Sequence, residues 1–122
     1  MADKLMLVLV NTDPTIPSEI GPPFFQATVA AAMEYDVEIV FSGRASELAV
    51  KGVAEKIIIP GQKEKTLYDL IKDAHEAGVS FKVCTPTLEI WGDDFINEVH
   101  ETVGGAYVIG EAMDDSTVTF TY

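Results

Sequence analysis

The sequence predicts an α/β fold in which helices cover both faces of a mostly parallel sheet. Two observations lead to it: short apolar runs rich in Val, Ile and Leu recur along the chain, and segments with helical spacing separate them. Such runs suit strands buried on both faces, and their alternation with helices is typical of βαβ units. At 122 residues, 48% of them hydrophobic, the chain is expected to form one domain over residues 1–122.

The first part of the chain predicts two strands joined by a helix. The run LMLVLV at residues 5–10 is the first strand, and residues 11–21 form a turn-rich loop. Pro22 and Pro23 are expected in the first turn of the helix, where proline is tolerated. The apolar face of this helix is predicted at Phe25, Val29, Ala32 and Met33. Residues 37–41 (VEIVF) form the second strand.

The middle of the chain contains the best defined helix signal. A short helix at residues 44–50 and a brief extended run at 57–59 come first. Thr66 and Asp69 then resemble a capping box, and Gly78 fits the end of that helix. Its buried stripe is predicted at Leu67, Leu70, Ile71 and Ala74.

The third main strand, residues 79–84, is followed by a helix start. Thr85 is predicted to cap a short helix that has Pro86 at its first position and ends near Gly92. The apolar spacing at residues 95–101 allows a further helical turn.

The tail permits two interpretations before its last strand. Residues 105–110 (GAYVIG) alone favour a strand. Alternatively, residues 102–103 form a very short strand and residues 104–113 a helix. Residues 118–122 (VTFTY) predict the final strand.

Charge and cysteine content limit the function classes. Eight Lys and Arg against 20 Asp and Glu give a net charge of −12, which argues against nucleic acid or an anionic membrane as a partner. The apolar run near the N-terminus is too short for a signal peptide or a membrane span. A single cysteine forms no internal disulfide, so a cytoplasmic, reducing compartment is expected.

Cys84 is the candidate catalytic residue, because it stands where a strand ends and a helix is predicted to begin. Ligands of parallel sheets usually bind at the carboxyl ends of strands. A helix start favours the thiolate, which is the nucleophilic form. Thr85 and Thr87 would then stabilise the anion. The alternative is a buried, inert thiol, since free cysteine is among the most buried residue types.

Other polar residues give weaker signals. Asn11, Thr12 and Asp13 follow the first strand and could line the site, although ordinary loop residues explain them too. Arg44 is expected in a surface salt bridge. His75 is expected to face solvent, and with His100 it forms no metal-ligand spacing, so no metal is expected.

Several cofactor and redox motifs are missing from the sequence. It has no G-x-G-x-x-G or Walker pattern and no C-x-x-C pair, so no nucleotide, other cofactor or dithiol chemistry is expected. Phe24, Phe25 and Trp91 are expected in the core or, if exposed, at a subunit interface.

Four segments together show a resemblance to a known family. They are FFQATVAAAMEYDVEIVF at 24–41, KGVAEKI at 51–57, TLYDLIKDAHEAGVSFKVC at 66–84 and GGAYVIGEAMDDSTVTF at 104–120. Their order and spacing resemble the DsrE/DsrF-like family of small sulfur-trafficking proteins. The resemblance implies a three-layer α/β/α sandwich with a five-stranded, mostly parallel sheet. It also implies a helix over 105–113 after a short strand.

The resemblance also implies a function and a mode of assembly. In active members, a cysteine at the position of Cys84 receives sulfur as a persulfide and passes it to a partner thiol, as a sulfurtransferase does. Members commonly form homotrimers or hexamers, and those that lack the cysteine act as structural partners. This chain has no second cysteine and has T-P-T after Cys84, which departs from many relatives. The alternative is a non-catalytic oligomer subunit or small-ligand binding module.

Overall fold

A five-stranded sheet forms the centre of the computed structural model, which describes residues 2–61 and 64–122. All recorded strand pairs are parallel, in the order β4-β3-β2-β1-β5. The elements are β1 (Lys4–Leu9), α1 (Pro17–Ala32), β2 (Asp36–Phe41), 3₁₀ segments at Gly43–Ala49 and Ala54–Lys56, α2 (Leu67–Ala77), β3 (Ser80–Cys84), α3 (Thr87–Trp91), β4 (Val99–Val103), α4 (Gly105–Ala112) and β5 (Thr117–Thr121). The predicted α/β class with a five-stranded parallel sheet is confirmed.

The main core lies between the sheet and helices α1 and α2. Three fully buried rings meet there, Phe24 from α1, Phe41 from β2 and Phe81 from β3, with centroids 6.1 to 6.4 Å apart. Alternate residues of the strands point into this layer because successive side chains of a strand face opposite sides.

A smaller apolar cluster covers the second face, beneath α4. It consists of Met6, Val8, Val40 and Val103, with Tyr107, Val108 and Ala112 of α4 packed against it. Helix α4 has no fully buried residue, so this face of the sheet is covered much less deeply than the first.

Helix α1 begins earlier than predicted, and the expected loop at residues 11–21 is therefore too long. The helix starts at Pro17, while Pro22 and Pro23 lie inside it. These prolines cannot donate to the carbonyls of Ser18 and Glu19. Both of those residues are exposed, so water can satisfy the carbonyls and the helix tolerates the prolines.

The predicted apolar face of α1 is also wrong. Phe25, Val29 and Met33 are exposed, at 37%, 58% and 61% of their surface. The buried residues of the helix include Ile20, Phe24, Ala27 and Ala30. Because α1 carries apolar residues on both sides, helical spacing alone could not select the side that meets the sheet.

Helix α2 agrees with its prediction. Thr66 accepts a hydrogen bond from the Asp69 N–H while the Asp69 side chain accepts from the Thr66 N–H, which completes the capping box. Gly78 ends the helix with φ at 112°, a value that favours glycine. The four predicted stripe residues are buried.

The region after α3 differs from the prediction. The helical turn expected at residues 95–101 is wrong, because Val99–Val103 is strand β4. Three of its five residues are exposed at the edge of the sheet, so the segment lacks the apolar pattern of a buried strand. The run at 57–59 contributes only an isolated bridge between Ile58 and Thr66. The tail forms helix α4, as the resemblance implies.

Within residues 2–61 and 64–122, no helix combines the length and apolar character needed to cross a membrane.

Candidate functional site

Cys84 is the last residue of β3 and stands at the carboxyl edge of the sheet, as predicted. Its side chain is partly exposed. Phe81 and Val83 point into the main core, whereas Cys84 packs against the smaller cluster on the α4 side. Lys82 lies on that same side of the strand, because residues two apart face the same way. The thiol is therefore a partly covered group at the rim of the second face.

The turn after Cys84 is held by the neighbouring strand. The N–H and the hydroxyl of Thr85 both donate to the carbonyl oxygen of Val103, at 2.8 and 3.2 Å. The helix cap predicted at Thr85 is wrong: Pro86 occupies the N-cap position and α3 begins at Thr87. The Thr85 hydroxyl is directed to β4, so it does not cap the helix.

Thr87 and Trp91 attach α3 to the segment that follows β2. The Thr87 side chain is buried, and its hydroxyl lies 2.8 Å from that of Ser46. The indole N–H of Trp91 donates to the carbonyl of Gly43, at 3.3 Å. Gly43 has φ at 53°, and a Cβ there would lie 3.1 Å from the Val10 carbonyl oxygen. These contacts fix α3, which follows Cys84 in the chain, against the segment after β2.

The loop after β1 lies at the same edge of the sheet. Thr12 is buried and Asn11 is exposed. Hydrogen bonds from the N–H and hydroxyl of Thr15, with the nearby Arg44 guanidinium, hold the pKa of Asp13 below its usual value. Arg44 donates to the Asn11 carbonyl at 3.2 Å and pairs with Asp13 at 3.4 Å, the surface salt bridge that was expected.

Cys84 and the loop after β1 lie at the same edge of the sheet, but they are not adjacent. Strand β2 lies between β1 and β3, which separates their ends by about 10 Å at ordinary strand spacing. The fold thus places Asn11, Thr12 and Asp13 where they could meet a large ligand or a partner, but they do not surround the thiol.

Helix α4 supplies neighbours of Cys84 that the sequence did not reveal. Cys84 pairs with Val103 across the sheet, and α4 begins two residues later at Gly105. Tyr107 and Val108 then pack on the cluster that Cys84 also touches. The segment GAYVIG gave no local sign of this role, because its contacts depend on how α4 lies on the sheet.

A buried ionic network lies on the same face, closer to the amino ends of the strands than Cys84 is. Glu38 in β2 is 2% exposed, and its carboxylate accepts from Lys82 at 2.6 Å and from the Tyr107 hydroxyl at 2.8 Å. Lys82 also donates to the Tyr107 oxygen at 2.7 Å. Lys4 lies 3.4 Å from Glu38 and pairs with Glu111 of α4.

This network controls the charge of its members. Burial alone would raise the pKa of Glu38, but the hydrogen bonds from Lys82 and Tyr107 outweigh it and the pKa lies below its usual value. For Lys82, burial would lower the pKa, whereas its bonds to Glu38 and Tyr107 raise it above 10.5. Lys82 is therefore a cation already paired with carboxylates, two residues before Cys84.

The two histidines of the chain, which the sequence gave no reason to connect, lie against each other. Their Nε2 atoms are 3.1 Å apart, although 25 positions separate them. Among the described residues, no three His, Cys, Asp or Glu side chains form a group suited to a metal ion.

Two solved structures share the fold of this chain. Among solved structures, the ychN protein from E. coli matches with a TM-score of 0.74 at 13% identity, over 100% of both chains. A conserved protein of unknown function from Bacteroides thetaiotaomicron matches with a TM-score of 0.66 at 12% identity, over 98% of this chain and 95% of its own. At these identities the likeness concerns the fold.

Sequence comparison gives the family itself. No curated protein matches the chain. The sequence model of the DsrE/DsrF-like family, however, matches residues 4–120, which includes strands β1 to β4, most of β5, and Cys84. The chain therefore belongs to the DsrE/DsrF-like family.

Proposed function

We propose that this protein holds sulfur as a persulfide on Cys84 and passes it to a partner thiol. Membership of the DsrE/DsrF-like family suggests a role related to sulfur relay. The observation that carries the proposal is the position of Cys84, partly exposed at the carboxyl edge of a parallel sheet. Ligands of such sheets bind at this edge, and Cys84 is the only thiol of the chain.

The proposed transfer is a pair of exchange reactions. The Cys84 thiolate attacks the outer sulfur of a donor persulfide. A bond forms between Sγ and that sulfur, the S–S bond of the donor breaks, and the donor leaves as a thiolate. An acceptor thiolate then attacks the same outer sulfur and releases Cys84. No external oxidant, metal or other cofactor takes part.

Stabilisation of the persulfide anion is assigned to backbone N–H groups. The hydroxyls of Thr85 and Thr87 are bonded to Val103 and Ser46. The first N–H groups of a helix have no partner inside the helix. We therefore propose that backbone N–H groups take over the stabilising role of the predicted threonine pair. The candidates are those at the start of α4, at Gly105, which follows the strand partner of Cys84 by two residues. Asn11, Thr12 and Asp13 would line the approach of a donor or acceptor protein.

Intact-protein mass spectrometry after exposure to polysulfide tests the transfer. We expect the native protein to gain sulfur and to lose it again to an added thiol. Cys84→Ser replaces the thiol by a hydroxyl of similar size and should gain none. Equal gain by both proteins, or no gain by the wild type, contradicts the proposal.

A reducing compartment suits this chemistry, because Cys84 must be free to cycle between thiolate and persulfide. We accordingly propose the cytoplasm as its location, which agrees with the absence of a second cysteine.

A second candidate function is that of a non-catalytic oligomer subunit, and one observation favours it. Phe25 and Val29 of α1 and Met33, which follows the helix, are exposed, and so are Val118 and Phe120 of β5. We propose that this surface, the α1/β5 face, binds a second copy in a homo-oligomer. Labelling with a thiol reagent distinguishes the two candidate functions. In a sulfur carrier Cys84 is labelled in the native state, whereas in an inert subunit it is labelled only on unfolding.

A further inference from the structure

His75 and His100 come from different elements and meet at the surface. His75 lies in the last turn of α2, and His100 lies in the edge strand β4. Their ring centroids are 5.3 Å apart, with 41° between the ring planes, and the two Nε2 atoms are 3.1 Å apart. His100 is exposed and His75 is partly exposed, so the pair lies at the surface of the protein.

A β-bulge brings His100 to this position. Phe81 pairs with Val99 and Lys82 pairs with Glu101, so His100 is the extra residue between two consecutive pairs. Val99 packs towards the main core and Glu101 reaches Lys82 on the other face. Because His100 is the extra residue, it can contact α2 while Val99 and Glu101 keep their pairing with β3. Bulges commonly redirect a side chain in this way.

The distance between the two nitrogens suits chelation of one metal ion. With metal–nitrogen bonds of about 2.0–2.1 Å, two imidazoles lie about 3.4 Å apart at a tetrahedral angle and about 2.9 Å apart at a right angle. The observed 3.1 Å falls between these values. Neutral imidazole is a preferred ligand of Zn²⁺, Ni²⁺ and Cu²⁺.

The surroundings favour a cation. His75 lies at the C-terminal end of α2, where the helix dipole is negative. The chain has a net charge of −12, which raises the local concentration of divalent cations.

We propose that His75 and His100 form a two-histidine site for a divalent late first-row transition metal ion. The ion joins the end of α2 to the edge strand and keeps its remaining positions for water or an external ligand. Binding requires both Nε2 lone pairs, so the proton shared in the metal-free contact moves to Nδ1 of its ring or to water. The site does not involve Cys84, and the proposal is independent of the proposed sulfur transfer.

Calorimetric titration with Ni²⁺ tests the site in full-length protein that carries Cys84→Ser, so that the thiol does not contribute. We expect one ion per chain. His75→Gln and His100→Gln should each weaken binding about a hundredfold, because each leaves a single imidazole and removes the chelate advantage. Replacing both histidines should weaken Ni²⁺ binding only slightly more than replacing either one. Protons compete for imidazole, so affinity should also fall as the pH is lowered.

Glu76→Gln is the matched control. Glu76 is the exposed neighbour of His75 in α2, and its substitution removes one negative charge and keeps both imidazoles. Zn²⁺ should also shift the ring-proton NMR signals of both histidines together. The proposal is overturned if the chain binds no Ni²⁺, if Glu76→Gln weakens binding as much as His75→Gln, or if the double variant binds like the wild type.

Discussion

Glu38 is a buried charged residue that several partners hold in place. It lies in the middle of a central strand, and its carboxylate is almost fully buried between Lys82, Lys4 and the Tyr107 hydroxyl. A carboxylate in that environment is tolerated only while its partners are in place, because an unpaired buried charge is far more costly than a paired one.

Replacing Glu38 by Gln should destabilise the protein, because it keeps the shape of the side chain but leaves two lysines without their shared counterion. We expect the free energy of unfolding in urea at neutral pH to fall by about 3 kcal/mol. The pKa of Glu38 is lowered in the folded state, so its contribution is present at neutral pH. That contribution is lost as the pH falls below the ordinary value of 4.5. The difference between wild type and variant should therefore shrink in acid.

Tyr107→Phe is the control for this prediction. It removes one hydroxyl of the network and leaves the charges unchanged, so we expect a smaller loss, about 1–2 kcal/mol. Because that hydroxyl also helps to lower the pKa of Glu38, this difference should shrink in acid too, but by less than for Glu38→Gln. A Glu38→Gln variant as stable as the wild type, or an equal difference at every pH, would show that the network contributes no charge-dependent stability.

The sequence could place Cys84 but not its surroundings. The end of the apolar run before Cys84 marks the carboxyl end of β3 from local pattern alone, and the structure agrees. The bond between Glu38 and Lys82 and the contact between the two histidines depend on which strands and helices are neighbours. Glu38 and Lys82 are charged residues inside apolar strands, and such residues need partners. The sequence therefore indicates that each has a partner, but not which residue that partner is.

Helix α2 is the element whose sequence and structure agree most closely. Its capping box, its buried stripe and its terminal glycine all follow from spacing within thirteen residues, 66–78, and each is present. Local rules suffice for α2 because its apolar stripe is on one side only.

Thr66→Ala should loosen the start of α2, because it removes the side-chain oxygen that accepts from the Asp69 N–H. We expect a loss of about 1 kcal/mol in the free energy of unfolding, measured in urea. Thr102→Ala, at an exposed position of β4, should change it by less than about 0.5 kcal/mol. Similar effects of the two substitutions would mean that the cap does not hold the helix end.

Helix α1 shows where local rules fail. Its prolines suggested a start at Pro22, but the first turn is formed by Pro17 to Ile20. Its apolar residues surround the helix, so the side that meets the sheet is selected by the tertiary fit of Phe24 against Phe41 and Phe81. Spacing along the chain contains no information about that fit.

At the scale of the molecule, the α1/β5 face is an apolar surface that the fold leaves exposed. A groove of about 360 Å³ runs between α1 and the edge of the sheet and is lined by Leu5, Phe25, Gln26, Val29, Ala30, Met33 and Phe120. Exposed apolar patches of this kind mark interaction sites in soluble proteins, which supports the proposed homo-oligomer.

Val29→Glu should shift the protein towards monomers in analytical ultracentrifugation, because it places a charge in the centre of the α1/β5 face. Ile109→Glu alters a similarly exposed residue of α4 on the opposite side of the sheet, and we expect it to leave the oligomer intact. A wild-type protein that is monomeric at every concentration, or equal effects of the two substitutions, would rule this interface out.

The bulge at His100 also makes the two edges of the sheet unequal. On β4 it interrupts the regular row of backbone groups, and charged residues accompany it, both of which hinder the addition of a foreign strand. Strand β5, with the sequence TVTFT, has neither a charge nor a proline. If partly folded chains aggregate by joining their sheets edge to edge, β5 should therefore join and β4 should not. Each chain then has one edge available, so two chains joined through β5 have no open edge left and the aggregate stops at a pair.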